Sequence, residues 1–137
     1  MQTRLGKTRS TLLMVAGALL VLIGTFIIFA PAEFYATNNI EVGASVSLLN
    51  ELKAPAGLLL AAGVFMLGAI FVRRHADSAL ALAALVYLSY AFSRAGSFAL
   101  DGVPAAGLVQ AAALEGVIGL ACVTVLMLRR CPEGRAA

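Results

Sequence analysis

The chain has 137 residues, of which 61% are hydrophobic and only 12% charged, and its formal net charge is +3. A soluble domain is about one quarter charged; so much apolar surface on so short a chain requires lipid as the solvent for a large part of it. The small positive excess implies neither a nucleic-acid nor an acidic partner, because the basic residues are better explained by membrane orientation.

In chain order, Met1 to Ser10 carries Arg4, Lys7 and Arg9, and an apolar stretch follows from about Thr11 to Ala30. A secretory signal also begins basic and then apolar. Here the apolar stretch is longer than a signal core, and the bulky run Phe26-Ile27-Ile28-Phe29 offers no small-residue cleavage pattern. The stretch therefore reads as a retained first transmembrane helix. Pro31 is expected to end it. The segment from Pro31 to about Asn50 holds Glu33, Asn38, Asn39, Glu41, Ser45 and Ser47, and reads as a partly helical interfacial piece. Phe34 and Tyr35 suit an aromatic anchor at the membrane boundary.

Three further apolar runs follow, from about 54 to 72, 76 to 100 and 105 to 128. Arg73-Arg74-His75 closes the first of these, Asp101-Gly102-Val103-Pro104 reads as a tight turn after the second, and Arg129-Arg130 closes the third. Each run suffices to cross a hydrocarbon core of about 30 Å. The runs are continuous rather than alternating, which predicts helices and not barrel strands. The connections between the last three are short, so the expected fold is all-α: one domain over residues 1–137, an integral-membrane up-down four-helix bundle. With four spans, Arg4, Lys7, Arg9, Arg73, Arg74, Arg129, Arg130 and Arg135 fall on one side, while Glu33, Glu41 and Asp101 fall on the other. Both termini are expected to be cytoplasmic. Cys131 then sits where disulfides are rare, and Cys122 lies at a different depth, so no bridge is expected. With a single histidine and two separated cysteines, neither a metal site nor a cofactor motif is expected.

Charge in hydrocarbon is expensive and is normally paired, turned inward and functional. Lys53, Arg94 and Glu115 lie in or beside apolar helix, toward the same end of the expected bundle. Tyr87, Tyr90, Arg94, Ser97 and Asp101 step by three and four, which puts them on one helical stripe. Arg94 is seven residues, about 10 Å, below the turn at Asp101, and Glu115 lies ten residues, about 15 Å, into the last helix. The two are within reach of each other across antiparallel neighbours. Glu115 shares its face with Leu108, Ala111, Gly119 and Cys122, whereas Gln110 should point elsewhere. In the second span, Lys53, Gly57, Ala61, Val64 and Gly68 form a mostly small stripe, and these glycines, with Gly63 and with Gly17 and Gly24 of the first span, read as close-packing positions. Pro55 must either open that span or bend it. The candidate polar site is Glu51, Lys53, Arg94, Ser97, Asp101 and Glu115. Simpler readings stand beside it: Glu51, Lys53 and Asp101 solvated at the interface, Arg94 snorkelling to headgroups, and Glu115 as a structural partner only.

Glu51-Leu52-Lys53-Ala54-Pro55-Ala56-Gly57 resembles the Glu-x-Arg-Ala-x-Gly-Gly block of a bacterial membrane family, domain of unknown function 4345. Arg94-Ala95-Gly96-Ser97 with Asp101-Gly102-Val103-Pro104 resembles its second block, Glu115 matches the glutamate of its last helix, and Pro31 with Phe34-Tyr35 resembles the segment after its first. The likeness covers nearly the whole chain. Lys53 stands where the family usually has arginine, so a point donor replaces a two-pronged one there, and Ala56 replaces the first of two glycines. The resemblance implies four helices and the polar constellation, and it implies no activity. The expected location is the cell (inner) membrane, as a multi-pass protein.

Two functions are therefore weighed. One is a non-enzymatic structural or accessory membrane subunit, suggested by the small-residue stripes. The other is a binding or enzymatic protein for a small lipophilic ligand, with Glu115 as acid, base or counter-ion and Arg94 and Lys53 holding an anionic group. Ion transport ranks last, because little beyond Ser78 and Thr124 offers a polar path at the other end. The lipid bilayer is the expected surrounding, another membrane protein or a lipophilic ligand the expected partner, and self-association is left open.

Overall fold

The computed structural model describes residues 2–130. Within them it holds four long helices, Gln2–Phe29 (α1), Val46–Phe71 (α3), Ala76–Asp101 (α4) and Ala106–Arg130 (α5), a short helix Pro31–Ala36 (α2), and a 3-10 turn at Arg73–His75. No strand occurs among the described residues. The spans Leu5–Phe29, Val46–Phe71, Arg73–Asp101 and Ala106–Arg129 are each long and apolar enough to cross a membrane. Leu22, Leu58, Leu85, Phe92 and Val117 stand exposed on the outside of the bundle. Water would not tolerate such a surface on a monomer, whereas hydrocarbon does.

Two helices begin earlier than hydropathy indicates. α1 starts at Gln2 rather than near Thr11, because no helix breaker separates the basic segment from the apolar one. α3 starts at Val46 rather than near Ala54, and Pro55 lies well inside it. The start is set by Ser45, whose extended backbone and side-chain oxygen accepting from the Leu48 N–H at 3.4 Å form an N-cap. Pro55 withholds only the N–H that would otherwise meet the Glu51 carbonyl. Pro31 ends α1 as expected and then opens α2 at its first turn, where a missing N–H is harmless. Gly102, with φ of 99°, lets the chain leave α4.

The helices form a ring in the order α1, α3, α4, α5, with α1 also touching α4 across the middle and α3 and α5 apart. Packing around the ring is uneven. α1 lies tightly on α3, and α4 on α5, while the contacts between the two pairs are sparse. The α1–α3 seam depends on glycine. A Cβ on Gly63 would sit 2.7 Å from the Gly17 carbonyl oxygen, one on Gly17 would sit 2.9 Å from the Gly63 carbonyl oxygen, and one on Gly24 would sit 2.8 Å from that of Ala56. This is small-residue packing of the kind that lets membrane helices approach backbone to backbone. The stripe of Lys53, Gly57, Ala61, Val64 and Gly68 is not the packed one: all five are exposed, and nothing lies within 4 Å of a Cβ built on Gly57 or Gly68. The buried face of α3 is Ala56, Leu59, Ala62, Gly63, Met66 and Ala69.

The core fills one end of the bundle. Leu13, Ala16 and Leu20 of α1 meet Met66 and Ala69 of α3, Ala76, Ala79, Leu80 and Ala83 of α4, and Ile118, Cys122 and Val125 of α5. The alanines of α4 let its neighbours close in. At the rim of this end, Asp77 of α4 accepts from Arg9 of α1 at 3.2 Å and faces Arg129 Nε of α5 at 3.1 Å. One carboxylate thus ties three helix ends together. Arg9 is the deeper partner, its side chain only 11% exposed, and its Nε is buried without a partner. Asp77→Ala is expected to cost about 2 kcal/mol, because it leaves a buried charged donor without its acceptor. Asp101→Ala, at the exposed opposite end, is expected to stay within about 0.5 kcal/mol of wild type. Unfolding in mixed detergent micelles measures both. Cys131 and Arg135 lie outside the described residues, so the expectations for them and for the tail are not addressed by the fold.

Candidate functional site

Beyond Tyr87 the side of α4 that faces the bundle changes character. In place of alanine it presents Tyr90, Ser93, Arg94 and Ser97, and a space lined by all four long helices opens beside them. The resulting cavity has a volume of about 520 Å³, within the usual range for small-molecule sites. Leu19, Ile23 and Ile27 of α1, Leu52, Pro55 and Leu59 of α3, and Leu108, Ala111 and Leu114 of α5 make apolar walls. Tyr87 forms part of the wall nearest the core, where its hydroxyl donates to the Ala16 carbonyl at 2.8 Å. That bond couples α4 to α1 and closes the cavity off from the core side.

The polar element of the wall is an ion pair. Arg94 Nε donates to both carboxylate oxygens of Glu115, at 3.3 and 3.0 Å, bridging α4 and α5. The side chains are 28% and 15% exposed, so the pair is held largely out of solvent. The spacing explains the meeting: Arg94 lies about two turns before the α4–α5 turn and Glu115 about two and a half turns after the start of α5, which brings them level on antiparallel neighbours.

The segment between α1 and α3 roofs the cavity with Phe34, Tyr35, Asn38 and Ile40. Phe34 packs edge-on to Phe26 of α1 at 5.8 Å and to Tyr35 at 5.3 Å between ring centroids, which fastens the start of this segment to the bundle. Its far side rests on α5, where the Asn38 carboxamide oxygen takes the place a Cβ on Gly107 would occupy. Burial raises the pKa of the Tyr35 phenol, with the Arg94 charge working in the opposite direction. Tyr35 therefore remains a neutral hydrogen-bond donor at physiological pH.

Of the six residues singled out in the sequence, Arg94, Ser97 and Glu115 line the cavity. Ser97 is exposed near its mouth and donates to Asp101 at 2.9 Å. Glu51, Lys53 and Asp101 are exposed and do not line it. Lys53 is on the outward face of α3, one side chain round from Leu52, which does line the cavity. Sequence reasoning gave Tyr35 only an anchoring role and gave Asn38 none, yet both belong to the roof. Tyr35 lies in the six-residue α2 and Asn38 in the turn after it, and a segment so short carries no periodic signal.

The model of one sequence family, a domain of unknown function (DUF4345), matches residues 9–126. The chain belongs to this family. The match extends from Arg9 to Leu126, taking in the second and third spans whole, most of the first and fourth, the roof, Arg94 and Glu115. No activity is attached to the family's description. No curated protein and no solved structure matches the chain. The two departures from the family's pattern noted in the sequence fall on different faces of α3. Ala56 is buried at the α1 seam beside Gly24, while Lys53 points away from the bundle.

Proposed function

We propose that the protein is an integral, multi-pass protein of a bacterial inner membrane that binds a small lipophilic ligand between its two helix pairs. The ligand's apolar part lies against α1, α3 and α5, and its polar head meets Arg94. One observation carries this reading: an apolar cavity of about 520 Å³ with a largely buried ion pair on its wall. A packed core would have no use for a desolvated Arg–Glu pair beside empty space, since apolar side chains filling that volume are commonly as stable or more so. The other half of the bundle is sealed by Leu13, Met66, Leu80 and Cys122, all fully buried, which favours a blind site over a path across the membrane.

The orientation follows from charge. Lys7, Arg9, Arg73, Arg74 and Arg129 belong to the end where the core lies, and Glu33, Glu41, Glu51 and Asp101 to the other. With basic residues cytoplasmic, both termini face the cytoplasm and the cavity belongs to the outer half of the membrane.

Native mass spectrometry of the chain extracted in mild detergent tests the reading. Wild type is expected to carry a small lipophilic adduct distinct from bulk phospholipid. Ala111→Trp, which fills the cavity while leaving both charges in place, is expected to lose the adduct and still melt cooperatively. Equal adducts on the two proteins would remove the site from consideration.

A second reading, a structural or accessory subunit, draws on the exposed face of Gly57, Ala61, Val64 and Gly68, where another helix could approach closely. The same spectrum distinguishes it, since a subunit would retain a second protein or a second copy of itself whether or not Ala111 is replaced.

A further inference from the structure

We propose that the head of the ligand is an electrically neutral hydrogen-bond acceptor, of the carbonyl type found in a quinone, an ester or an amide, and not a carboxylate or a phosphate. This rests on the binding reading above and concerns which chemistry the same site selects.

The argument begins with how Arg94 is used. Only its Nε–H is engaged by Glu115, so the guanidinium meets the carboxylate side-on. Among the described residues no protein acceptor meets its two terminal nitrogens, and Arg94 lines the cavity. Two planar NH₂ groups are a ready receptor for oxygen lone pairs. Tyr35 and Tyr90 line the same cavity, their hydroxyls also without a hydrogen-bond partner among the described residues, and both phenols lie within electrostatic reach of Arg94. The cavity's polar region is therefore rich in donors, and its one carboxylate already accepts from Arg94.

Charge then decides between acceptors. Arg94 and Glu115 cancel, so the site is neutral before a ligand arrives. An anionic head would leave a net negative charge in a place walled mostly by hydrocarbon, next to a carboxylate that is only 15% exposed. Desolvating an ion without a counter-charge is costly, whereas a carbonyl oxygen brings lone pairs and no net charge. A second cation would alter this balance. Lys53, which the sequence offered for that role, is exposed on the outward face of α3 and does not line the cavity. A cationic head fares no better, because it would face the unengaged edge of Arg94.

The experiment is a competition on the full chain in mild detergent at neutral pH, read by native mass spectrometry or by ligand-induced thermal shift. The probes share one tail: dodecyl-benzoquinone, dodecanoate and dodecylamine. Wild type is expected to bind the quinone at least ten-fold more tightly than either charged probe. Glu115→Gln leaves the guanidinium uncompensated and nearly preserves shape, so it is expected to raise dodecanoate affinity at least ten-fold and reverse the order. Tyr90→Phe removes a neutral donor without changing any charge; it is expected to weaken the quinone several-fold and keep the wild-type order, and it decides the matter should Glu115→Gln not fold. Wild type that prefers dodecanoate, a Glu115→Gln protein with unaltered selectivity, or Tyr90→Phe with undiminished quinone affinity would each overturn the neutral-head assignment while leaving a ligand cavity in place. Binding of all three probes that persists unchanged in Ala111→Trp would overturn the cavity itself.

Discussion

Gly63→Leu is expected to separate α1 from α3 and to destabilise the bundle by about 3 kcal/mol, the upper end of the range for overpacking. The reason is that the obstructing atoms are main chain. A Cβ at position 63 would lie 2.7 Å from the Gly17 oxygen and 2.9 Å from the Val21 nitrogen, and neither can rotate away. A whole helix must shift, taking with it the contacts of Leu13, Ala16 and Leu20. Gly57→Leu and Gly68→Leu are the informative controls. They lie on the same helix, add the same side chain, and meet nothing within 4 Å of the new Cβ, so each is expected to be neutral within about 0.5 kcal/mol. Unfolding curves in mixed micelles give all three values. Equal losses at 57 and 63 would show that the face of α3 turned toward α1 is not the one described.

The second large effect is at the ion pair. Arg94→Ala is expected to cost about 3 kcal/mol, because breaking a largely buried pair strands the remaining charge, and to abolish retention of the lipophilic adduct. Glu115→Ala should destabilise comparably. The double replacement Arg94→Ala/Glu115→Ala should cost at least about 1 kcal/mol less than the sum of the singles, since it leaves no orphan charge. It should still fail to hold the ligand. Recovered stability without recovered binding separates the guanidinium's part in the site from its part in the fold. If the double variant keeps the adduct, Arg94 serves only to join α4 to α5.

Much of this was legible in residues. Arg94 and Glu115 could be seen to come level, because a hairpin of two regular helices around a short turn fixes relative depth by counting at 1.5 Å per residue. Ser97 and Asp101 could be placed on the Arg94 stripe by the same regularity, and they do hydrogen-bond to each other. Glu51 and Lys53 could be placed near the same end but not on a face, because that required knowing which side of α3 meets α1. The roof was less accessible still. Asn38 reaches Gly107 through a turn and an irregular stretch whose path no repeat describes. The tie between Arg9, Asp77 and Arg129 was likewise unread. Each residue was visible as a boundary charge, and only the convergence of three helix ends makes one carboxylate serve two guanidinium groups.

Hydropathy and periodicity by themselves determined that there are four membrane-length helices, that they alternate in direction, and that one polar stripe runs along the third. Those properties are local: they depend on which residues are apolar and on 3.6 residues per turn. The tertiary structure alone decided which small-residue face of α3 is buried, that a cavity lies between the helices at the end away from the core, and that Lys53 turns away from that cavity while Tyr35 and Asn38 cover it. In water, burial can be inferred from apolarity. In a membrane the lipid-facing side is as apolar as the core, so Ala56 and Gly63 look no different from Gly57 and Gly68 until a neighbouring backbone is in place to fill the space beside one pair and not the other.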